Sequence, residues 1–324
     1  MPREGILFAY GNPLLDISAD VDGAFLEKYG LKPNDAILAD DKHKSLYTDL
    51  VEKFQVDYAP GGATQNTIRI AQWMIGIPRA TTFMGCIGKD KFGNILEERT
   101  KSAGVRVTYQ YHDTEPTGTC AVLITGKDRS LVAYLAAANL FSKSHLDLKE
   151  NQELLHKAEF FYCSGFPLTV CPDAMTEIGK HSADNGKTFI MNLSAPFLCS
   201  VFKKPMLDLI PYVDILFGNE SEAVAFADAN DFGTKDIPEI AKKIASLPKQ
   251  NGKMGRTVII TQGADPTLVY QEGKLTSYPV IHIKKEDIVD TNGAGDAFVG
   301  GKSQLWLYGC MLGLFAHFSR KPLV

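Results

Sequence analysis

The stretch DTNGAGDAFVGG, Asp290 to Gly301, sets small residues among acid and amide side chains and then runs into an apolar, helix-like segment. Gly293, Ala294 and Gly295 leave their backbone N–H groups almost unobstructed. A helix that starts here turns its unpaired N–H groups and the positive end of its dipole toward one point, which makes a pocket for an anion. Asp296 falls in the first turn, beside that pocket. A carboxylate next to an anion site can accept the proton of a hydroxyl that attacks a phosphoryl group. An aliphatic alcohol is too weak an acid to ionise in advance, so the carboxylate orients it and takes the proton as the bond forms. Taken alone, the same residues also serve as a tight turn followed by a helix-capping acid. Two other phosphate motifs fail on spacing. A dinucleotide fingerprint needs glycine where Phe298 stands, and GDAFVGGKS misses a Walker loop because its lysine comes one residue late.

Such a site needs elements to hold it. ILFAY (6–10) reads as a strand, and residues 62–76 read as a helix after a double glycine. TTFMGCIG is strand-like, and DKFGNILEERTKSAG is helical with a glycine at its end. From Ala158 the rhythm is regular. FFYCSG, TFIMNLS, VDILFGN and RTVIITQG read as short buried strands, separated by helical stretches at 172–185, 199–210 and 220–229. This alternation predicts an α/β fold, a mostly parallel sheet with helices on both faces. Ligands in such folds bind at the carboxyl ends of the strands. Several of these ends carry polar or glycine residues: Gly11-Asn12, Asn192, Gly218-Asn219 and Gln262-Gly263. Residues 17–60 and 106–136 break the rhythm. There TYQYH, TGTCAVLIT and SLVAYLA read as neighbouring strands of a small β-rich lid, inserted in a large domain of residues 1–16, 61–105 and 137–324.

Composition narrows the partners. A chain of 324 residues can bury a full core as one large or two modest domains. Its net charge of -4 is mild and no basic stripe appears, so no nucleic-acid partner is expected. The opening MPREGILFAYGN has an apolar run too short for a signal-peptide core, and no membrane partner is expected. The six cysteines form no C-x-x-C pair and read as reduced, mostly buried thiols of a cytosolic protein. The seven histidines are isolated, with no H-E-x-x-H, which argues against a metal cage built by the protein.

DTNGAGDAFVGG resembles the C-terminal signature of the ribokinase-like (phosphofructokinase-B) sugar kinases. GNPLLDIS (11–18), PGGATQNTIRIAQWMIG (60–76), GCIGKDKFG (85–93), PTGTCAVLI (116–124), DRSLVAYLAAAN (128–139), NLSAPF (192–197) and PYVDILFGNESEA (211–223) resemble the branch of that family that acts on adenosine. The motifs run in order from about residue 5 to 301, which makes the signal far more specific than one glycine loop. The resemblance implies a Rossmann-like large domain, a lid that closes over substrate, and transfer of the ATP γ-phosphoryl group to the 5′-hydroxyl of adenosine, with Mg²⁺ and ATP required. A monomer in the cytoplasm, or also in the nucleus, is expected.

By resemblance, Asp296 is the catalytic base, and Gly293, Ala294 and Gly295 form the anion hole for the transferred group. Arg129 matches the lid arginine that reaches the phosphate, where a guanidinium fork suits phosphate oxygens. Asn12 and Asp16 match the ribose-binding pair; a carboxylate can accept from both vicinal hydroxyls. Gly62 and Asn66 match a second sugar-contacting motif. Leu14, Leu38, Leu131, Ala133, Phe166 and Phe197 line the base pocket, since a purine offers two flat faces to apolar walls. Asn219 and Glu222 match an N-x-x-E motif in which Glu222 holds magnesium through water. Asn192 and Gly263 approach the ATP phosphates or ribose. Without the family, each has a plainer use as a cap, turn, surface or core residue.

Three features depart from the pattern. Ala63 stands where relatives often carry serine, and Pro167 where an aromatic is common. After Gly301 the chain reads GKSQLWLYGCMLGLFAHFSRKPLV, and only SQL echoes the family. Residues 305–318 are nearly all apolar yet fewer than the about 17–25 that a membrane span needs. This tail reads as an altered frame, a splice form or a divergence, and is expected to weaken the ATP pocket and to expose apolar surface. Two rivals follow: a ribokinase-like kinase for another nucleoside or sugar, and a nucleoside-binding protein without catalysis.

Overall fold

The computed structural model describes residues 2–33, 36–250, 255–281, 283–284 and 293–307. Asp290, Thr291 and Asn292 of the glycine-rich stretch lie outside the described residues, as does the tail from 308 onward. The chain begins β1 (Leu7–Tyr10), β2 (Leu14–Asp20), α1 (Gly23–Lys28), β3 (Ala36–Leu38), α2 (Leu46–Lys53), β4 (Asp57–Gly61), α3 (Ala63–Ile75), β5 (Thr81–Gly88) and α4 (Lys91–Ser102). It continues with β6 (Arg106–His112), β7 (Thr119–Thr125), β8 (Asp128–Tyr134), α5 (Lys143–Leu146), α6 (Lys149–Lys157), β9 (Phe160–Cys163), α7 (Pro172–Asp184), β10 (Thr188–Asn192), α8 (Pro196–Val201) and α9 (Lys203–Leu209). The last part holds β11 (Ile215–Asn219), α10 (Glu220–Ala229), α11 (Ile237–Ala245), β12 (Thr257–Gln262), β13 (Asp265–Gln271), β14 (Lys274–Tyr278) and α12 (Ala294–Leu307).

Nine strands form one sheet in the order β14-β13-β12-β11-β10-β9-β1-β5-β6. From β6 to β12 every pair is parallel, and β13 and β14 add an antiparallel edge. The apolar runs are continuous because both faces are covered. Leu7, Ala9, Phe83 and Ile190 enter one core, and Phe8, Tyr10, Met84 and Met191 enter the other. Each fully buried side chain of this size contributes about 1.5–3 kcal/mol. The α/β sheet with helices on both faces agrees with the expectation.

A second sheet of five strands runs β3-β8-β7-β2-β4. β2 and β8 alternate between buried and half-buried residues, whereas β7 between them is buried from Thr119 to Leu123. Leu15, Ile17, Leu123 and Val132 are buried with Phe25 and Leu26 of α1 and Leu46 and Leu50 of α2. The other face carries Leu14, Asp16, Leu131 and Ala133, all half-buried.

Two expectations are corrected. TYQYH, assigned above to the lid, belongs to β6 and pairs with β5 in the large sheet, from Thr82↔Arg106 to Gly88↔His112. Its β propensity could not tell which sheet it joins; the buried pairing Tyr109 against Gly85, with the Phe83 ring edge-on to Tyr109 at 6.0 Å, decided it. The helical stretch 199–210 is two helices, α8 and α9, parted at Phe202.

Candidate functional site

The chain leaves β1 in the middle of the large sheet. It builds β5 and β6 on one side and then returns to β9 on the other, so the strand order reverses between β1 and β9. At such a reversal the loops beyond the carboxyl ends diverge and leave a crevice. Asn12 follows β1 there, Phe166 follows β9, Asn192 and Asn219 end β10 and β11, and Gly263 follows β12. Thr64 Oγ1 donates to Ser164 Oγ at 2.8 Å, which ties the start of α3 to the end of β9. The Oδ1 atom of Asn12 is buried and has no hydrogen-bond partner among the described residues. Such an atom is costly unless a ligand completes it.

The double glycine before α3 is a seat. A Cβ on Gly61 would collide with the carboxyl group of Asp16, and one on Gly62 with the Asn12 carbonyl oxygen. Gly62 also has φ of 89°, a backbone that side chains rarely adopt. From Gly62 the helix turns once, with Asn66 N bonded to Gly62 O at 2.9 Å. Asn66 Nδ2 then donates to Asp296 Oδ2 at 3.1 Å.

Asp296 lies in the first turn of α12, which opens with Ala297 N bonded to Gly293 O at 2.8 Å. Gly293, Ala294 and Gly295 are exposed, and a Cβ built on either glycine meets nothing within 4 Å. Asp296 itself is half-buried, and burial pushes its pKa up to about 6, with the Asn66 hydrogen bond opposing and Glu222 adding to the rise.

Asp16 is no turn acid; it sits in mid-β2, paired with Ala59 of β4 and Cys120 of β7. Burial pushes it up to about 7, against the pull of Arg69 and with a further push from Asp296. The two acids, far apart in sequence, are linked through α3: the Asp16 carboxyl group abuts Gly61 just before the helix, and Asn66 on the helix bonds Asp296. Tyr162, a neighbour of β1, also feels Asp296; burial first and then that charge hold its phenol well above the ordinary range.

Paired positions of a sheet point to the same face, and so do residues two apart. Asp16 pairs with Cys120, Cys120 with Ala133, and Ala133 with Leu38. Leu14 and Leu131 lie two positions away on the same face. Leu38 is 65% exposed, an uncommon place for a leucine unless something covers it. Phe166, after β9, and Phe197 of α8 have ring centroids 6.5 Å apart, tilted by 48°, and Phe197 is half exposed. Arg129 shares the face but pairs with Ile124 near the β7–β8 turn. Four residues along the strand place it about 13 Å from the row of Asp16.

Asn219 and Glu222 form a capping box at the start of α10. Glu222 N donates to Asn219 Oδ1 at 2.9 Å, and Asn219 N donates to Glu222 Oε2 at 3.0 Å. Glu222 is buried, not a solvated surface acid, and burial raises its pKa. Asn192 Oδ1 accepts from Ser194 N at 3.1 Å, and Gly263 has φ of 57° with open space around it. Among the described residues, no group of three His, Cys, Asp or Glu could hold a metal ion, and no helix is long and apolar enough to cross a membrane.

Sequence reasoning missed Arg69, half-buried on α3, whose Nη1 donates to Pro60 O at 2.7 Å. The signal was its spacing: three residues after Asn66, it leaves the same side of the helix.

Comparisons with known proteins bear on this site. Residues 24–307 match the model of the pfkB family of carbohydrate kinases. The chain is 52% identical over 298 residues to adenosine kinase 2 of Arabidopsis thaliana, covering 92% of this chain and 86% of that protein. It is similar to the crystal structure of Anopheles gambiae adenosine kinase in complex with P1,P4-di(adenosine-5) tetraphosphate, with a TM-score of 0.88 and 50% identity over 97% of this chain and 92% of that one. A further likeness is to adenosine kinase from Schistosoma mansoni in complex with adenosine in an occluded loop conformation, with a TM-score of 0.90 and 36% identity over 98% of this chain and 94% of that one.

Proposed function

The chain belongs to the pfkB family of carbohydrate kinases, and from that premise we propose that the cleft between Asp16 and Asp296 is where its chemistry occurs. The activity is that of an adenosine kinase: the γ-phosphoryl group of ATP passes to the 5′-hydroxyl of adenosine, giving AMP and ADP. The observation that carries the site is the hydrogen bond from Asn66 to Asp296, which joins the start of α12 to the helix that begins beside Asp16.

Adenosine lies with its ribose toward Asp16, Asn12, Gly62 and Asn66. The Asp16 carboxylate accepts from the 2′- and 3′-hydroxyls, and the orphaned Asn12 oxygen gains a donor. The base rests between Leu14, Leu38, Leu131 and Ala133 on one wall and Phe166 and Phe197 on the other. This geometry points the 5′-hydroxyl at Asp296. With a pKa of about 6 that acid is mostly ionised at neutral pH and still basic enough to take a proton late in the transfer. Asn66 fixes its orientation.

The N–H groups of Gly293, Ala294 and Gly295 stabilise charge on the transferred phosphoryl oxygens. Arg129 joins them when the five-stranded sheet closes toward α12. Asn192 and Gly263 border the ATP side. The donor set suits magnesium bound chiefly by phosphate oxygens and water, because the protein offers one buried carboxylate, Glu222, near Asp296 and no cage among the described residues. Glu222, held by Asn219, would hold magnesium through a water, and the ion would neutralise phosphate charge.

The direct test is to incubate the purified chain with adenosine, ATP and Mg²⁺ and to look for AMP. AMP formation that needs both substrates supports the reading. Adenosine binding with no AMP sinks it.

A further inference from the structure

The acceptor side of the cleft holds one charge to which the reaction above gives no task. Arg69 and Asn66 leave α3 on the same side, and each meets a different acid. Asn66 bonds Asp296. Arg69 is tethered by Nη1 to the carbonyl of Pro60, which is in register with Leu15, next to Asp16. Its Nε is buried with no hydrogen-bond partner among the described residues. The tether holds the guanidinium at Pro60, one residue before Gly61, where a Cβ would meet the Asp16 carboxyl group.

We propose that Arg69 is a positioning residue of the acceptor subsite: tethered to Pro60, its guanidinium keeps Asp16 in the carboxylate form that receives the ribose hydroxyls. This rests on adenosine being the acceptor. Asp16 has a reason to need such help. Burial drives it toward the neutral acid, and Asp296 on α12 pushes the same way, whereas Arg69 pulls back. The other groups on the packed elements are neutral. Cys120 of β7, in register with Asp16, is held as a thiol by burial first and then by the Asp16 charge. Tyr109 of β6, near Arg69, is held as a phenol by burial and donates to Gln65 Oε1 at 2.5 Å. Ala59, Pro60 and Gly61 of β4 bring no ionisable side chain. Arg69 is thus the cation of this set, and a neutral acid at Asp16 would accept from only one hydroxyl well while donating to the other.

The test is adenosine affinity against pH, read as Kd by calorimetry without ATP and as KM in turnover, for the full chain and its Arg69→Met and Arg69→Lys variants. At pH 7 Arg69→Met is expected to weaken Kd and KM by about fivefold, because a rise of one unit from about 7 cuts the ionised fraction of Asp16 from about a half to about a tenth, with kcat within about twofold. The gap closes toward pH 9, Arg69→Lys restores most of the affinity, and 2′-deoxyadenosine suffers less than adenosine. A gap that stays constant with pH, or an equal loss for both nucleosides, overturns the proposal. If Arg69→Met fails to fold, Arg69→Gln set against Arg69→Lys decides by the same criteria, and equal losses in those two overturn it. A wild-type chain that makes no AMP, yet binds adenosine with this pH pattern, removes the kinase reading and leaves Arg69 its role. An active chain whose variants show no pH-dependent gap does the reverse.

Discussion

Asn66 and Asp296 are 230 residues apart in the chain, yet Asn66 Nδ2 donates to Asp296 Oδ2 at 3.1 Å, so α3 also orients the acid in the first turn of α12. Gly300 makes this approach close: a Cβ there would stand 2.6 Å from the Thr67 carbonyl oxygen, so α12 lies directly on the α3 backbone. Any shift of α3 is therefore passed directly to the Asp296 carboxylate. The consequences can be measured.

Asp296→Ala is expected to lower kcat by roughly 10²–10⁴-fold, the usual worth of a positioned base, while the Kd of adenosine changes little. In the wild type, kcat falls as pH drops through about 6, because the base must be ionised to act. Steady-state rates between pH 5 and 8, with calorimetry on the variant, check both. A parallel loss of binding would remove the base role.

Both acids also have a cost in stability. Their folded pKa values, about 7 for Asp16 and about 6 for Asp296, lie above the ordinary 3.8, so the folded chain binds protons more tightly than the unfolded one. The stability gained from those protons is complete below about pH 4 and is lost as pH rises through 6 and 7. Asp16→Asn is therefore expected to raise Tm by about 2–4 °C at pH 8 and to leave it unchanged at pH 4. Thermal melts at the two pH values decide; a gain at both would mean packing and not charge.

Gly62→Ala sets a methyl group against the Asn12 carbonyl and forces a side chain onto a backbone with φ of 89°. The expected outcome is a loss of adenosine affinity of tenfold or more and a Tm lower by several degrees, since strain at such a φ alone costs about 1–3 kcal/mol. Gly76→Ala is the control: its φ of 71° is similar, but a Cβ there meets nothing within 4 Å, at the far end of α3. Similar affinity losses in the two would show that Gly62 acts through helix stability only.

Glu222→Gln removes the charge and keeps one of the two bonds from Asn219, since the amide oxygen can still accept from Asn219 N while the amide nitrogen cannot accept from Asn219 Nδ2. The magnesium concentration for half-maximal rate is expected to rise by about three- to tenfold, with adenosine affinity in the absence of ATP unchanged. A magnesium titration of initial rates checks it, and an unshifted midpoint would separate Glu222 from the ion.

The amino-acid order by itself determined whatever depends on neighbours in the chain. The alternation of apolar runs and helical stretches announced the parallel sheet, because burial on both faces demands unbroken apolar strands. The start of α12 at Ala294, the turn from Gly62 to Asn66, and the spacing of Asn219 and Glu222 were legible for the same reason: each is closed by bonds within one helical turn. Tertiary structure decided the rest. Whether TYQYH joined the small sheet or the large one turned on buried partners from β5 that its own residues do not encode. That Asp16 would be raised, and that Arg69 would oppose the rise, depends on how α3, β4 and α12 enclose one carboxylate, and desolvation is a property of the surroundings and not of the residue.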